Sequence, residues 1–363
     1  MAATGMPNRR IKSERITLID VATALGVSAI TVSRALREPE KVSEALREKI
    51  LGKVEEMGYM PDLAARALVS RQNGAICVLT PGLSQEVLGF AGGIEARTRT
   101  TDFRIKYANC GFDPAEERRI IRLFLSQYPV GLIWAGLQAP QETAELLRAS
   151  QCPVVHVTDT GLAGKGIMVG LDNFEAAAAA THHLLSGGYR RIGLLGAYAD
   201  IRTQRRREGY IATMQEAGLY DPALVLCDHA PTSVELGCRL LRTLVGSAVG
   251  LDAVLCQDDD IALGALFESR RLGLRVPEEL GICGFDDLPY AAHAEPPLTT
   301  VRVPAFDIGY QAADLLIRTM ASEDTAERIV RLPFELVRRG STRAAYPASV
   351  DGEMTEEALG AVA

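Results

Sequence analysis

One tryptophan and five histidines are spread over 363 residues, and aromatics make up only 6% of the chain. No H-E-x-x-H, G-x-S-x-G or phosphate-loop pattern occurs, so the common zinc-hydrolase, serine-hydrolase and nucleotide-hydrolase signatures are missing. The seven cysteines (77, 110, 152, 227, 238, 256 and 283) are odd in number and contain no C-x-x-C pair. Several lie in apolar runs such as "AICVL" and "AVLCQ", as buried free thiols of a reducing compartment do. No apolar run approaches the length of a membrane span. The first sixteen residues lack an apolar h-region, so the expectation is a cytoplasmic protein without a secretory signal.

What is present is an uneven chain, long enough for two or three domains and 47% apolar. The net charge is −7, yet residues 1–73 hold twelve Lys/Arg against nine Asp/Glu. A basic end on an acidic body permits a local nucleic-acid-binding module without requiring one.

The first sixty residues read as three short helices. Thr17 caps "LIDVATAL" and Gly26 stops it; Ser28 caps "AITVSRALR", with Pro39 beyond its end; Ser43 opens "EALREKILGKVEEMG", which ends at Gly58. Leu46, Ile50, Val54 and Met57 share one face of the third helix. A tight turn between the first two gives a helix-turn-helix layout. On the second helix Val32, Ala35 and Leu36 fall inward, while Ala29, Ile30, Ser33 and Arg34 fall outward. That outer face is small, hydroxylated and cationic, and its Arg and Ile suit guanine and a thymine methyl. By spacing alone, an ordinary helical hairpin serves equally well. A single short helix is expected over 62–70. It is either a linker or a segment that folds on DNA, with Arg66 suited to phosphate and an apolar stripe through Leu63 and Leu68.

The stretch from Thr17 to Arg34 resembles the headpiece of the LacI/GalR family of bacterial transcription regulators, matching T-x-x-D-V-A-x-x-x-G-V-S-x-x-T-V-S-R. The later "VSEALREKI" and "GYMP" match as well. The resemblance implies double-stranded operator DNA as a partner, contacted by Thr17, Ser28, Ala29, Ile30, Thr31, Ser33, Arg34 and Arg66. It also places Leu68 at the family's intercalating leucine.

From residue 75 onward, strand-like runs ("AICVLTP", "FRIKYANC", "GLIWAG", "PVVHVT", "RIGLLGA", "AVLCQD", "LGICGFDD") alternate with amphipathic helical runs. This is the pattern of parallel sheets covered by helices on both faces. It repeats after about residue 173, suggesting two similar halves with a ligand cleft between them. The body resembles the periplasmic-binding-protein-like core of the same family. The expected fold is an all-α helix-turn-helix headpiece (16–61), a hinge helix and linker (62–74), and an α/β core of two parallel-sheet subdomains (75–343). The resemblance divides the core into 75–173 with 304–333 and 174–303 with 334–343. The tail 344–363 is expected to be disordered.

His182 and His183 are adjacent and diverge on a helix, which argues against a shared metal. Asp258, Asp259 and Asp260 suit helix capping better than a cation site. No metal or cofactor is expected. The resemblance implies effector contacts at Ser84, Gln85 and Leu88 in one loop, and at Arg206, Asp258 and Asp286. The carboxylates suit sugar hydroxyls and the guanidinium suits a ligand carboxylate. Arg202, Arg205 and Arg207 read as a solvated helix face. Trp134 ends "GLIW" either near the cleft or in the core. The family's aromatic near position 232 is missing, its acid is Thr158 here, and its frequent Asn is Asp258. "VGLDNFEAA", "LGAYADIRT" and "FESRRLGLRVP" resemble the gluconate-repressor branch, which implies an open-chain sugar acid as effector, with another sugar or a sugar phosphate as the alternative. A homodimer on a pseudo-palindromic site follows from the same resemblance. A transport solute-binding protein would share the body but carry no headpiece. A sugar-acid kinase or dehydrogenase would need a nucleotide fingerprint, and none is visible.

Overall fold

The computed structural model describes residues 16–60, 74–82, 85–135, 141–157, 159–161, 166–197, 200–247, 250–321 and 329–344. The expected hinge helix with Arg66 and Leu68, the positions Ser84 and Thr158, and the tail beyond 344 lie outside these residues. The chain forms two units, residues 1–73 and 74–363.

In the first unit, α1 (Leu18–Leu25) begins with a capping box. The Thr17 hydroxyl accepts from the Asp20 amide at 3.3 Å, and the Asp20 carboxylate accepts from the Thr17 amide at 2.7 Å. Gly26 ends the helix at φ +67°, where a Cβ would be strained. The chain bends by 107° into α2 (Ala29–Arg37), whose Ser28 cap accepts from the Thr31 amide at 3.1 Å. A 3₁₀ turn (Pro39–Lys41) leads to α3 (Glu44–Glu56). Ser43 holds the cap position of α3 but makes no side-chain capping bond. Val21, Ala22, Val32, Ala35, Ile50 and Tyr59 form the core, with Leu46, Val54 and Met57 packed against it.

The second unit begins with β1 (Ala75–Thr80), α4 (Gln85–Thr98), β2 (Arg104–Asn109), α5 (Pro114–Leu125), β3 (Gly131–Trp134), α6 (Gln141–Ser150), β4 (Val154–Val157) and β5 (Ile167–Gly170). It continues with α7 (Asn173–Ser186), β6 (Ile192–Ala197), α8 (Ile201–Glu216), β7 (Val225–Asp228), α9 (Val234–Ser247), β8 (Ala253–Cys256), α10 (Asp259–Arg271), β9 (Gly281–Asp286) and β10 (Thr299–Arg302). It closes with α11 (Ala305–Met320), β11 (Ile329–Arg331) and β12 (Glu335–Val337).

Among the described residues the strands form two sheets, ordered β11-β5-β4-β3-β1-β2 and β12-β10-β9-β8-β6-β7. All pairings are parallel except β10 with β12. The central strands β1, β3, β6 and β8 are buried throughout, as strands covered on both faces must be. The chain passes between the sheets three times. After β5, α7 packs on the second sheet; after β10, α11 packs on the first; after β11, β12 joins the second. In each sheet the strand order reverses beside the first strand, between β2 and β3 around β1 and between β7 and β8 around β6. The carboxyl ends there open a crevice, the usual ligand position in such sheets.

Candidate functional site

In the headpiece, the hydroxyls of Thr17 and Ser28 are committed to capping, and Thr31 Oγ1 lies 2.8 Å from Ser28 Oγ. Ile30 is 65% exposed, Arg34 is exposed and Ser33 is half-buried. These three present a small, hydroxylated, cationic face. Ala29 departs from the helical-wheel expectation. It is half-buried and packs against the core, because it stands three and seven residues before Val32 and Leu36 on the inward stripe.

In the second unit, residues at the carboxyl ends of both sheets line a cleft of about 430 Å³. Thr80 ends β1, Asn109 ends β2 and Val157 ends β4 on one wall. Ala197 ends β6, Gln257 and Asp258 follow β8, and Asp286 ends β9 on the other. The amino ends of α4, α7, α8 and α10 converge on the same space through Glu86, Asn173, Arg202 and Asp258. Such a site offers helix-terminal amides and strand-end side chains to a polar ligand.

Arg206 is buried at 5% exposure and engaged along its whole guanidinium edge. Nε donates to Asn173 Oδ1 at 2.9 Å, Nη1 to the Gln257 carbonyl at 2.6 Å, and Nη2 reaches Asp286 Oδ1 at 3.4 Å. Its Cζ also lies 3.7 Å from the Phe285 ring centroid. Asp286 sits at φ +105°, a strained backbone for a residue with a Cβ, of the kind that collects at functional sites. Burial pushes its carboxyl well above the ordinary range; Arg206 opposes this and Glu86 adds to it.

The three consecutive aspartates do separate work. Asp258 caps α10, accepting from the Ile261 amide at 2.8 Å, and accepts from the Thr232 hydroxyl at 2.5 Å. Burial raises its carboxyl, against those two bonds. Asp259 accepts from the Leu288 amide and the Thr300 hydroxyl, each at 2.7 Å, while Asp260 accepts from the Tyr290 hydroxyl at 2.6 Å. Among the described residues no group of three His, Cys, Asp or Glu is placed to hold a metal ion. His183 is instead tied to Thr342 at 2.8 Å.

The structure brings Arg206, Asp258 and Asp286 together in the cleft. It does not bring Leu88 there: that side chain is 66% exposed on α4 and lines no part of the cleft. Gln85 opens α4, with its side chain outside the described residues. Trp134 is buried on the far face of the first sheet beside Ile121 and Phe124, and its Nε1 donates to Glu117 at 3.1 Å. Alternation along the strand turns it away, and its neighbour Ala135 lines the cleft. Of the three arginines expected on a solvated face, only Arg207 is exposed. Arg205 lies 3.6 Å from Asp159 and 4.9 Å over the Phe174 ring, and Arg202 lines the cleft. Glu86, Asn173, Asp200 and Gln257 also line it. The one local signal for this group is Asp200, a capping residue that marks where α8 starts and so which arginines face the strand ends. Phe90 and Phe112 supply rings on the first-sheet wall, so the cleft is not short of aromatic surface despite Thr232.

A helix-turn-helix headpiece followed by a two-sheet binding fold, with a polar cleft at the strand ends, defines a class: DNA-binding regulators that read a small molecule. Residues 17–62 match the family model described as bacterial regulatory proteins, lacI family, and residues 181–342 match that of a periplasmic binding protein-like domain. The HTH-type transcriptional regulator GntR of Pseudomonas aeruginosa is 37% identical over 90% of this chain and 96% of its own length. GntR of Escherichia coli K12 is 36% identical over 91% of this chain and all of its own. The crystal structure of transcription regulator GntR from Chromobacterium violaceum superposes with a TM-score of 0.71 at 37% identity, covering 74% of this chain and 99% of that one. The chain belongs to the LacI family and is a DNA-binding transcriptional repressor, not an enzyme. No single helix among its described residues is long and apolar enough to cross a membrane.

Proposed function

We propose that this repressor works in the cytoplasm as a homodimer on a pseudo-palindromic operator and answers to an open-chain sugar acid such as gluconate or a keto-gluconate. The observation that carries the reading is the cleft lining: guanidinium groups of Arg202 and Arg206 beside the carboxylates of Asp258 and Asp286. Cations suit a ligand carboxylate and carboxylates suit a row of hydroxyls. The likeness to relatives named GntR supports the same branch. Each α2 reads a major-groove half-site through Ile30, Ser33 and Arg34, and Leu68 wedges the centre of the site. Effector binding closes the cleft and changes the pairing of the hinge helices. A coupling of about 1–3 kcal/mol changes operator affinity about 5- to 150-fold. A ring-form neutral sugar is the competing reading, favoured by the rings of Phe90 and Phe112. Isothermal titration with gluconate and with neutral hexoses separates the two. Gel shifts on the protein's own promoter and on neighbouring sugar-acid genes, with and without each compound, test the operator. Tight hexose binding with none to gluconate overturns the sugar-acid reading.

A further inference from the structure

Among the described residues two arginines line the cleft, and they are not equivalent. Arg206 is the more buried, with one donor of each nitrogen engaged by Asn173, the Gln257 carbonyl and Asp286 while Phe285 covers its face. Arg202 stands one turn earlier on α8, and its side chain is a quarter exposed to the cleft. One edge of its guanidinium is held by Asp200, with Nη2 at 2.9 Å and Nε at 3.2 Å from the same oxygen. The other edge points across the cleft. Nη1 lies 3.5 Å from Oε1 of Glu86, the first-turn carboxylate of α4 on the opposite sheet. This contact is longer than a charge-assisted hydrogen bond, and it joins the two lobes over the space a ligand would occupy.

The geometry points to Arg202 as the residue that receives the effector's anionic group, and to Glu86 as the internal carboxylate that this group displaces. The inference rests on the sugar-acid reading and names the atoms that implement it. A ligand carboxylate arriving between the walls meets the more exposed of the two guanidinium groups, on an edge whose present partner is loosely held. Glu86 lies close enough to Asp286 to raise its carboxyl further, so removing Glu86 from that position also relieves repulsion among the cleft acids. Glu86 thereby sets selectivity: a neutral polyol has nothing with which to replace it, whereas an anion does.

The test is isothermal titration of the full-length wild type, Glu86→Gln, Arg202→Gln and Arg202→Lys with gluconate, 2-keto-gluconate and glucose 6-phosphate, and with glucitol and glucose as neutral probes. Glu86→Gln is expected to bind the anion about two- to fivefold more tightly, the size of a solvent-accessible ion pair. Arg202→Gln is expected to lose about 10- to 150-fold, the size of a hydrogen bond to a charged group. Arg202→Lys recovers part of that loss, and in every variant the neutral probes change by a smaller factor than the anions do. Thermal unfolding checks each variant; should Arg202→Gln fail to fold, Glu86→Gln and Arg202→Lys still decide the matter. Gluconate binding that is indifferent to Arg202 and Glu86 overturns this inference and leaves the sugar-acid reading standing. If gluconate does not bind while another anion shows the expected pattern, the gluconate assignment falls and the inference holds. If only neutral sugars bind, or no probe does, both fall.

Discussion

The Nη1 of Arg206 donates to the backbone carbonyl of Gln257 at 2.6 Å, so a guanidinium from α8 closes the carboxyl end of β8. With Asn173 and Asp286 it ties α7, α8, β8 and β9 to one point. Truncation leaves the buried Asp286 carboxylate without its cation and two acceptors without donors. Arg206→Ala is therefore expected to cost about 3–5 kcal/mol of stability, the usual loss when one partner of a buried charged network is removed. Arg206→Lys, which keeps the charge but loses the fork, should cost less. Urea unfolding of the two variants checks this. Equal stability of Arg206→Ala and wild type would show that the network is dispensable.

Asp259 gives a pH dependence. Burial raises its carboxyl to about 7, against the bonds from Thr300 and Leu288 and with added repulsion from Asp258 and Asp287. The unfolded chain releases this proton near pH 4, whereas the fold holds it until about pH 7. Between those values the native state binds more protons, so stability falls as pH rises and the loss is complete above about pH 7. The full span is at most about 4 kcal/mol. Asp259→Asn removes the titrating group, so its unfolding free energy should vary less than that of wild type between pH 4.5 and 7.5. Parallel urea midpoints for the two proteins across that range would defeat the prediction.

The long apolar strands were legible. "AICVLT", "IGLLGA" and "GICGFD" announce β1, β6 and β9 because strands covered on both faces must be apolar along their whole length. The short strands β5, β7, β10, β11 and β12 were not. The equally short β3, β4 and β8 stand out as apolar runs, whereas β10 ("TTVR") carries one apolar residue and β7, β11 and β12 lie at sheet edges where alternation is blunted. The caps at Thr17, Gly26 and Ser28 could be read because a capping bond is local. Which face of α8 meets the cleft is not local. Arg202 and Arg206 share a face one turn apart, and only the packing of α8 on α7 and β6 decides that this face looks inward. Trp134 shows the same limit, since a shift of one residue along a strand exchanges core for cleft.

Two glycine substitutions should have opposite signs. Gly309 of α11 lies against α4, and a Cβ built there would fall 2.0 Å from the Phe90 carbonyl oxygen. That neighbour is backbone and cannot rotate away, so Gly309→Ala must push the two helices apart. The expected cost is about 1–3 kcal/mol or more. Gly246 of α9 has nothing within 4 Å of its would-be Cβ. Gly246→Ala should gain about 0.5–1 kcal/mol by restricting the unfolded chain and improving helix propensity. Thermal unfolding of both variants is the measurement. A stabilised Gly309→Ala would mean that α4 and α11 are packed less closely than described.

Arg34 is exposed on α2, beyond the Val32 and Ala35 core stripe and on the same side as the exposed Ile30. Replacing it removes a potential bidentate partner for guanine without opening the core. Arg34→Ala is expected to weaken operator binding by about 1–3 kcal/mol and to relax the sequence preference at one position of each half-site. Loss of a phosphate contact would instead weaken all sequences alike and flatten the salt dependence. Gel shifts on the operator and on single-base variants, at two salt concentrations, separate these outcomes. Circular dichroism should show an unchanged headpiece. If Arg34→Ala binds every site as wild type does, the outer face of α2 is not the reading surface.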